Sequence, residues 1–260
     1  MLKYFCSADI HSFFDEWIIA LRNKGFDLKN PDHKIIVCGD LFDRGNQSIE
    51  CFELMKMLIN QNRAIYVRGN HEDLLFDAVI DIKKGHIHNH HCSNGTIRTI
   101  ANMMECSEYD ILCGCYDRLK FKDVTDNLLD FITKHCVDYF ELGKTVFVHG
   151  WVPTTITSDK DHTTCVHKNW RDGGWREAHW ENGMEMYYFG ITPPDNETVV
   201  CGHWHTSYGW SKFRNRSEWG PDAEFTPFIE KGIVALDACT AYTKMVNVVV
   251  FDEQGNLIDN

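Results

Sequence analysis

The chain has 260 residues, 43% of them hydrophobic, which suits one large core, since single cores stop growing near roughly 250–300 residues. Its formal charge of −12 argues against the extended basic surface that broad nucleic-acid binding needs. No apolar run reaches membrane-spanning length, and eleven cysteines, an odd number with several inside apolar runs, argue against a disulfide framework.

A strand is expected over residues 2–8; it leads straight to Asp9 and leaves no room for a signal peptide, so the expected location is cytoplasmic, with no membrane partner. A helix over 12–24, a strand over 34–38, a helix over 47–60, a strand over 63–67 and a helix from about 71 to 84 follow. In 47–60 the residues Ile49, Phe52, Leu54, Met55, Leu58 and Ile59 fall largely on one helical face. Residues 85–126 are richer in polar residues and cysteine and carry the loop signal Ser93-Asn94-Gly95, so they read as a helical insertion or cap within a single domain spanning 1–260. The insertion holds the stretch His86–Cys92, whose imidazoles and thiolate are zinc-ligand types but which reads as a solvated loop. It also holds Cys113-Gly114-Cys115, which lacks the two-residue spacing of common zinc pairs.

An amphipathic helix over 127–136 precedes strands at 138–141 and 144–148 around Gly143. The tryptophan-rich region 151–196 contains a short helix near 174–182, and strands at 198–201, 231–236 and 244–251 close the chain before a turn at Glu253-Gln254-Gly255. The eight tryptophans read mainly as packing residues, with stacking on a base as the alternative. Strand and helix in alternation, then mainly strands, imply an α/β fold in which two mixed sheets pack face to face with helices outside.

Most of the apolar runs end in a polar cluster. Ile35-Ile36-Val37-Cys38 leads into Gly39-Asp40, Ala64-Ile65-Tyr66-Val67 to Gly69-Asn70, Val146-Phe147-Val148 into His149, and Val199-Val200-Cys201 into Gly202-His203. Asp9, His11, Asp40, Asn70, His149 and His203 therefore gather hard oxygens and imidazoles at strand ends. Such donors are what a pair of divalent cations acting on a phosphate ester requires. Asp9 and His11, two apart in an extended segment, face one way and can chelate one ion, and His205 stands in the same relation to His203.

The order Asp9-x-His11, Gly39-Asp40-x-x-Asp43-Arg44-Gly45, Gly69-Asn70-His71-Glu72, His149-Gly150, Gly202-His203 resembles the calcineurin-like metallophosphoesterases from about residue 4 to residue 250. Within them it looks most like the serine/threonine phosphoprotein phosphatase branch, and Val234–Cys239 resembles the closing portion of its small bacterial and phage members. The resemblance implies Asp9 and His11 at a first metal, Asp40 as bridging carboxylate, and Asn70, His149 and His203 at a second. Manganese is the first expectation for the ions, with iron or zinc as alternatives. A hydroxide bridging the pair then attacks phosphorus in line with no covalent intermediate. His71 is implied as the acid that protonates the leaving oxygen, with Asp43 orienting its ring, while Glu72 and Asp73 suit the first turn of a helix on their own account.

Arg44 is implied as a fork on the phosphoryl oxygens. A second phosphate-binding arginine is expected within Asn169–Trp180, Arg176 ahead of Arg171. The ending is mixed. Gly-His-x-His through His205 resembles other metallophosphoesterases in which the second histidine ligates the first metal, whereas Gly202-His203-Trp204 resembles the dinucleoside tetraphosphate hydrolases. The expected substrate is a phosphomonoester, phosphoserine or phosphothreonine in a protein. A symmetrical bis(5'-nucleosyl)-tetraphosphate hydrolase or a phosphodiesterase using the same site is the alternative. A non-catalytic phospho-ligand module would not need the His71–Asp43 pair.

Overall fold

A computed structural model describes residues 1–157 and 163–259. Strands β1 (Lys3–Ser7), β2 (His33–Cys38) and β3 (Ala64–Val67) pair in parallel, joined by helices α1 (Phe14–Asn23) and α2 (Ser48–Asn60), and α3 (Asn70–Lys83) follows β3. Alternation with period two divides their side chains between two faces. Phe5, Ile35, Val37 and Tyr66 pack under the helices, while Tyr4, Cys6, Ile36, Cys38 and Val67 face a second sheet.

The insertion folds as α4 (Asn89–Ser93), α5 (Thr96–Met104) and α6 (Glu108–Leu112), and α7 (Arg118–His135) leads back to the sheet. The expected start of that last helix at 127 moves nine residues earlier, to Arg118. There the Asp117 carboxylate accepts the N–H groups of Leu119 and Lys120, and Phe121, Thr125, Leu128, Phe131 and Ile132 bury one face. The stretch expected as a solvated loop is also partly helical. His91 within it is buried, with Nε2 3.1 Å from the Asp81 carboxylate. Cys113 and Cys115 are exposed, and all eleven cysteines are free.

Past α7 come β4 (Cys136–Val137), β5 (Phe140–Leu142), β6 (Thr145–Phe147) and a hairpin, β7 (Thr154–Ile156) with β8 (Thr164–Val166), which the sequence reading lacks. The short helix expected near 174–182 is α8 (Trp175–Ala178), which stops earlier, and a separate α9 (Gly183–Tyr188) follows, capped by the Asn182 side chain, which accepts the Glu185 N–H. Next are β9 (Thr198–Cys201), α10 (Thr206–Arg214), β10 (Phe228–Glu230), β11 (Ile233–Ala235), α11 (Thr240–Thr243), β12 (Val249–Phe251) and β13 (Leu257–Asp259). The strand expected over 244–251 shrinks to β12, since Lys244 is left-handed (φ 58°) and Asn247 donates its side-chain amide to Phe225 and Leu236 carbonyls.

Two mixed sheets result, in the orders β13-β12-β1-β2-β3-β4 and β10-β11-β9-β6-β5, with Phe147, Val200, Val234 and Leu236 of the second packed on the inner face of the first. The α/β sandwich flanked by helices is the expected one. Parallel strands β1, β2, β3, β6, β9 and β11 end at one rim, and Asp9, Asp40, Asn70, His149, His203 and Asp237 follow them in that order. At the opposite end the β5–β6 turn meets the β12–β13 turn. A side chain on Gly143 would collide with the Gln254 carbonyl and one on Gly255 with the Leu142 carbonyl, while Thr145 donates its hydroxyl to Gly255 at 2.8 Å. Both glycines are left-handed, at φ 59° and 82°. Among the described residues no helix is long and apolar enough to cross a membrane.

Candidate active site

Asp40 is the centre of the rim. One carboxylate oxygen lies 3.7 Å from His11 Nε2 and 3.8 Å from His71 Nε2. The other lies 3.3 Å from His149 Nε2 and accepts the His71 main-chain N–H at 3.0 Å. The carboxylate is thus shared between two groups, His11–Asp40–His71 and Asp40–His149–His203, in each of which one ligand atom per residue falls within 4.8 Å of the others. Asn70 Oδ1, 2.8 Å from His149 Nε2, adds an amide oxygen to the second group.

Main-chain carbonyls aim the imidazoles. His11 Nδ1 lies 2.9 Å from the Phe42 carbonyl and His149 Nδ1 2.8 Å from that of Cys38, so each ring donates there and turns the lone pair of Nε2 toward Asp40. The His203 ring is held by a hydrogen bond to the Trp180 main chain. Burial, then neighbouring His71 and Arg44, holds His11 far below the usual histidine range; burial also lowers His149, and burial with His149 brings His203 to about 3. A neutral imidazole is the form that binds a cation. Burial pushes the Asp40 carboxyl up, but the four surrounding histidines pull it below its ordinary value. A shared carboxylate, an amide oxygen and neutral imidazoles fit a pair of divalent cations.

His71 is pushed the other way. Burial lowers it, yet Asp40 and the hydrogen-bonded Asp43 carboxylate outweigh burial and raise it, which favours the protonated form of an acid. Its Nδ1 lies 2.7 Å from Asp43 Oδ2 and its Nε2 3.3 Å from an Arg44 guanidinium nitrogen. The insertion fixes Asp43. Thr96 donates to Oδ2 at 2.9 Å, and Thr99 donates to Oδ1 at 2.7 Å while accepting the Asp43 N–H at 2.9 Å. Arg98 donates to the Arg44 carbonyl at 2.7 Å.

Several expected site residues lie otherwise than their spacing implied. Asp9 and His11 do not share an extended segment, because β1 ends at Ser7 and both residues are left-handed, at φ 53° and 51°. Asp9 lies outside both three-residue groups, and its two oxygens accept the His203 N–H at 3.1 and 2.9 Å. His203 is left-handed as well (φ 67°), which breaks the alternation that would align His205 with it. His205 turns to Ser207 Oγ at 2.7 Å and Glu218 at 3.6 Å. Arg171 pairs with Glu141 and Asp195 and covers the Trp170 ring, and Arg176 pairs with Asp77, so both guanidinium forks are directed to carboxylates away from the two groups.

Other residues joined the site without being expected there. Glu72 does more than suit a helix start: it accepts the N–H groups of Asp40, Leu41 and Gly69 and the Tyr66 hydroxyl, tying two of the rim loops together. Asp237, pushed up to about 6 chiefly by burial, lies within the field of Arg44, Asp40 and His71. It follows the apolar run of β11 just as Asp40 follows β2, and the same rule would have found it. Thr96 and Thr99 carry no such signal.

The calcineurin-like phosphoesterase family matches residues 2–232, and the chain belongs to that family. It is 39% identical over 75 residues to an asymmetrical bis(5'-nucleosyl)-tetraphosphatase of Anoxybacillus flavithermus, covering 26% of this chain and 31% of that one. Against a symmetrical bis(5'-nucleosyl)-tetraphosphatase of Haemophilus influenzae it is 38% identical over 85 residues, 32% of this chain and 29% of that one. The match thus spans about a third of these relatives' length. A cold-active protein-tyrosine phosphatase of a Shewanella psychrophile superposes with a TM-score of 0.53 at 15% identity, over all of this chain and 80% of that one, a likeness of fold.

Proposed function

We propose that this calcineurin-like phosphoesterase is a metal-dependent hydrolase of dinucleoside polyphosphates, acting on a phosphoric anhydride. The observation that carries hydrolysis is His71, pinned by Asp43 beside Arg44 within the first of the two groups that share Asp40. The nucleotide choice is supported by the tetraphosphatase relatives and takes precedence over the phosphoprotein substrate that the motifs alone suggested.

Asp9, His11, Asp40, Asn70, His149 and His203 are the residues proposed to hold two cations, manganese being the first loading to test. Such a pair supplies a water acidic enough to deprotonate near neutral pH and offsets phosphoryl charge. Arg44 grips two phosphoryl oxygens and sets the phosphorus in line. As the water oxygen bonds to phosphorus, the bond to the departing oxygen breaks. His71 passes its Nε2 proton to that oxygen, and Asp43, fixed by Thr96 and Thr99, stabilises the imidazolium beforehand and keeps the ring aimed.

The Arg44 fork equally suits the terminal oxygens of a phosphoserine or phosphothreonine, which is the second reading. Manganese-loaded protein assayed in parallel on diadenosine tetraphosphate, a phosphoserine peptide and a phosphodiester decides between them. The highest kcat/KM is expected on the tetraphosphate. A peptide turned over faster than the tetraphosphate would transfer the assignment to the second reading.

A further inference from the structure

Trp210 is half-buried against the core, and the other seven tryptophans divide into two sets. Trp17, Trp151, Trp170 and Trp175 are at most 6% exposed and fill the core, as expected, but Trp180, Trp204 and Trp219 remain 50%, 37% and 50% exposed. Indoles normally bury most of their surface, so three exposed ones in one neighbourhood call for an occupant.

That neighbourhood is the rim. Trp180 stands edge-on to the His203 ring, 5.8 Å between centroids, and Trp204 is the next residue after His203. Trp219 packs 4.5 Å from the His205 ring and meets Tyr242, 61% exposed, edge to face at 5.8 Å. Tyr242 lies on α11, whose first cap, Cys239, donates its N–H to Asp237 Oδ1 at 2.7 Å. Exposed aromatic faces therefore flank the site at two places, Trp180 directly on His203 and, farther out, the Trp219–Tyr242 pair, which is linked to the rim through α11 and Asp237. The phosphoryl chemistry uses none of them. A flat base with an apolar face is the matching occupant, since stacking on an aromatic side chain serves any base.

We propose that Trp180 and the Trp219–Tyr242 pair are the platforms on which the two bases of the substrate stack, one at each end of the polyphosphate. The inference rests on the dinucleoside polyphosphate reading above and names what would make the site select nucleosides.

The test compares kcat/KM for diadenosine tetraphosphate with that for inorganic tetraphosphate, which has the same anhydrides and no base. The ratio should fall roughly tenfold in Trp180→Ala and again in Tyr242→Ala, with most of it restored in Trp180→Phe and Tyr242→Phe, which keep an aromatic face. An unchanged ratio in both alanine variants, on protein that does cleave diadenosine tetraphosphate, overturns the platforms alone. So does an equal loss on both substrates, which would mean that the rings only support His203 and His205. Wild-type protein that cleaves inorganic tetraphosphate or a phosphopeptide but not diadenosine tetraphosphate removes the substrate reading, and the platforms with it.

Discussion

The two halves of the rim are built differently. Up to Glu72 the chain sets its site residues just past parallel strands β1, β2 and β3, with Glu72 tying the loops after β2 and β3 together. From His149 on, His149, His203 and Asp237 still follow parallel strands, β6, β9 and β11, but the other expected residues lie on turns and short helices, and neither candidate arginine nor His205 is directed into the two groups. The difference separates two kinds of information: a strand end fixes where a side chain is, while the local backbone fixes where it points. Asp9, His11, Asp40, Asp43, Arg44 and His203 all have left-handed φ, so the alternation that governs the strands stops before it reaches them. Such conformations are costly for residues other than glycine and concentrate at functional sites.

The largest effect should come from the point where the halves join. Asp40→Ala removes the one carboxylate common to both groups, and both bound metal and turnover should drop to the limit of detection, by metal analysis and by assay on any phosphoric ester. Full metal content with full activity would mean that the halves hold ions independently of Asp40.

His71→Asn should keep metal bound while lowering kcat for an alkyl phosphomonoester by roughly 10²–10⁴. The loss should be smaller on an anhydride, whose departing phosphate needs a proton less. Equal losses on both substrates would argue that His71 acts as a ligand in the first half instead of as an acid.

Thr99→Val tests whether the insertion belongs to that half. It removes both hydrogen bonds to Asp43, one of them to its charge, for which about 1.5–3 kcal/mol is typical, so kcat should fall by roughly tenfold or more, with Thr99→Ser retaining most of it. The pH profile of kcat should shift with Val and not with Ser, because the Asp43 charge that supports the His71 imidazolium is what moves. A Val variant that loses stability with an unaltered profile would make Thr99 a packing residue only.

The smallest effect is expected in the second half. Arg171→Ala should leave kcat/KM on small phosphates essentially intact and cost at most about 1 kcal/mol in thermal unfolding, since its pairs with Glu141 and Asp195 are partly exposed. A loss comparable to that of Arg44→Ala would show that Arg171 swings to the substrate and would erase the contrast between the halves.

How much of this was legible follows from the same distinction. The apolar runs of β2, β3, β6 and β9 announced a sandwich with polar groups at its rim, and the structure has that architecture. β7, β8, β10 and β13 are three residues each and, unlike β6, do not lie in a longer apolar run, so no period registers. Glu72 was visible but had a sufficient local explanation in its helix start. Thr96 and Thr99 lie 53 and 56 residues from Asp43, a relation that only the packing of α5 creates. Spacing along the chain points to Arg171 and Arg176, but it is blind to the Glu141, Asp195 and Asp77 carboxylates that engage them.

At the far end of the sandwich, the turns around Gly143 and Gly255 fill each other's missing side-chain space. Although far apart in the sequence, they form a single unit of inheritance. A chimera that takes its closing hairpin from one relative and its β5–β6 turn from another will tolerate the graft only where both partners bring glycine and matching turn lengths. Lengthening either loop alone forces the other apart, so the pair marks a place where segments cannot be exchanged one at a time.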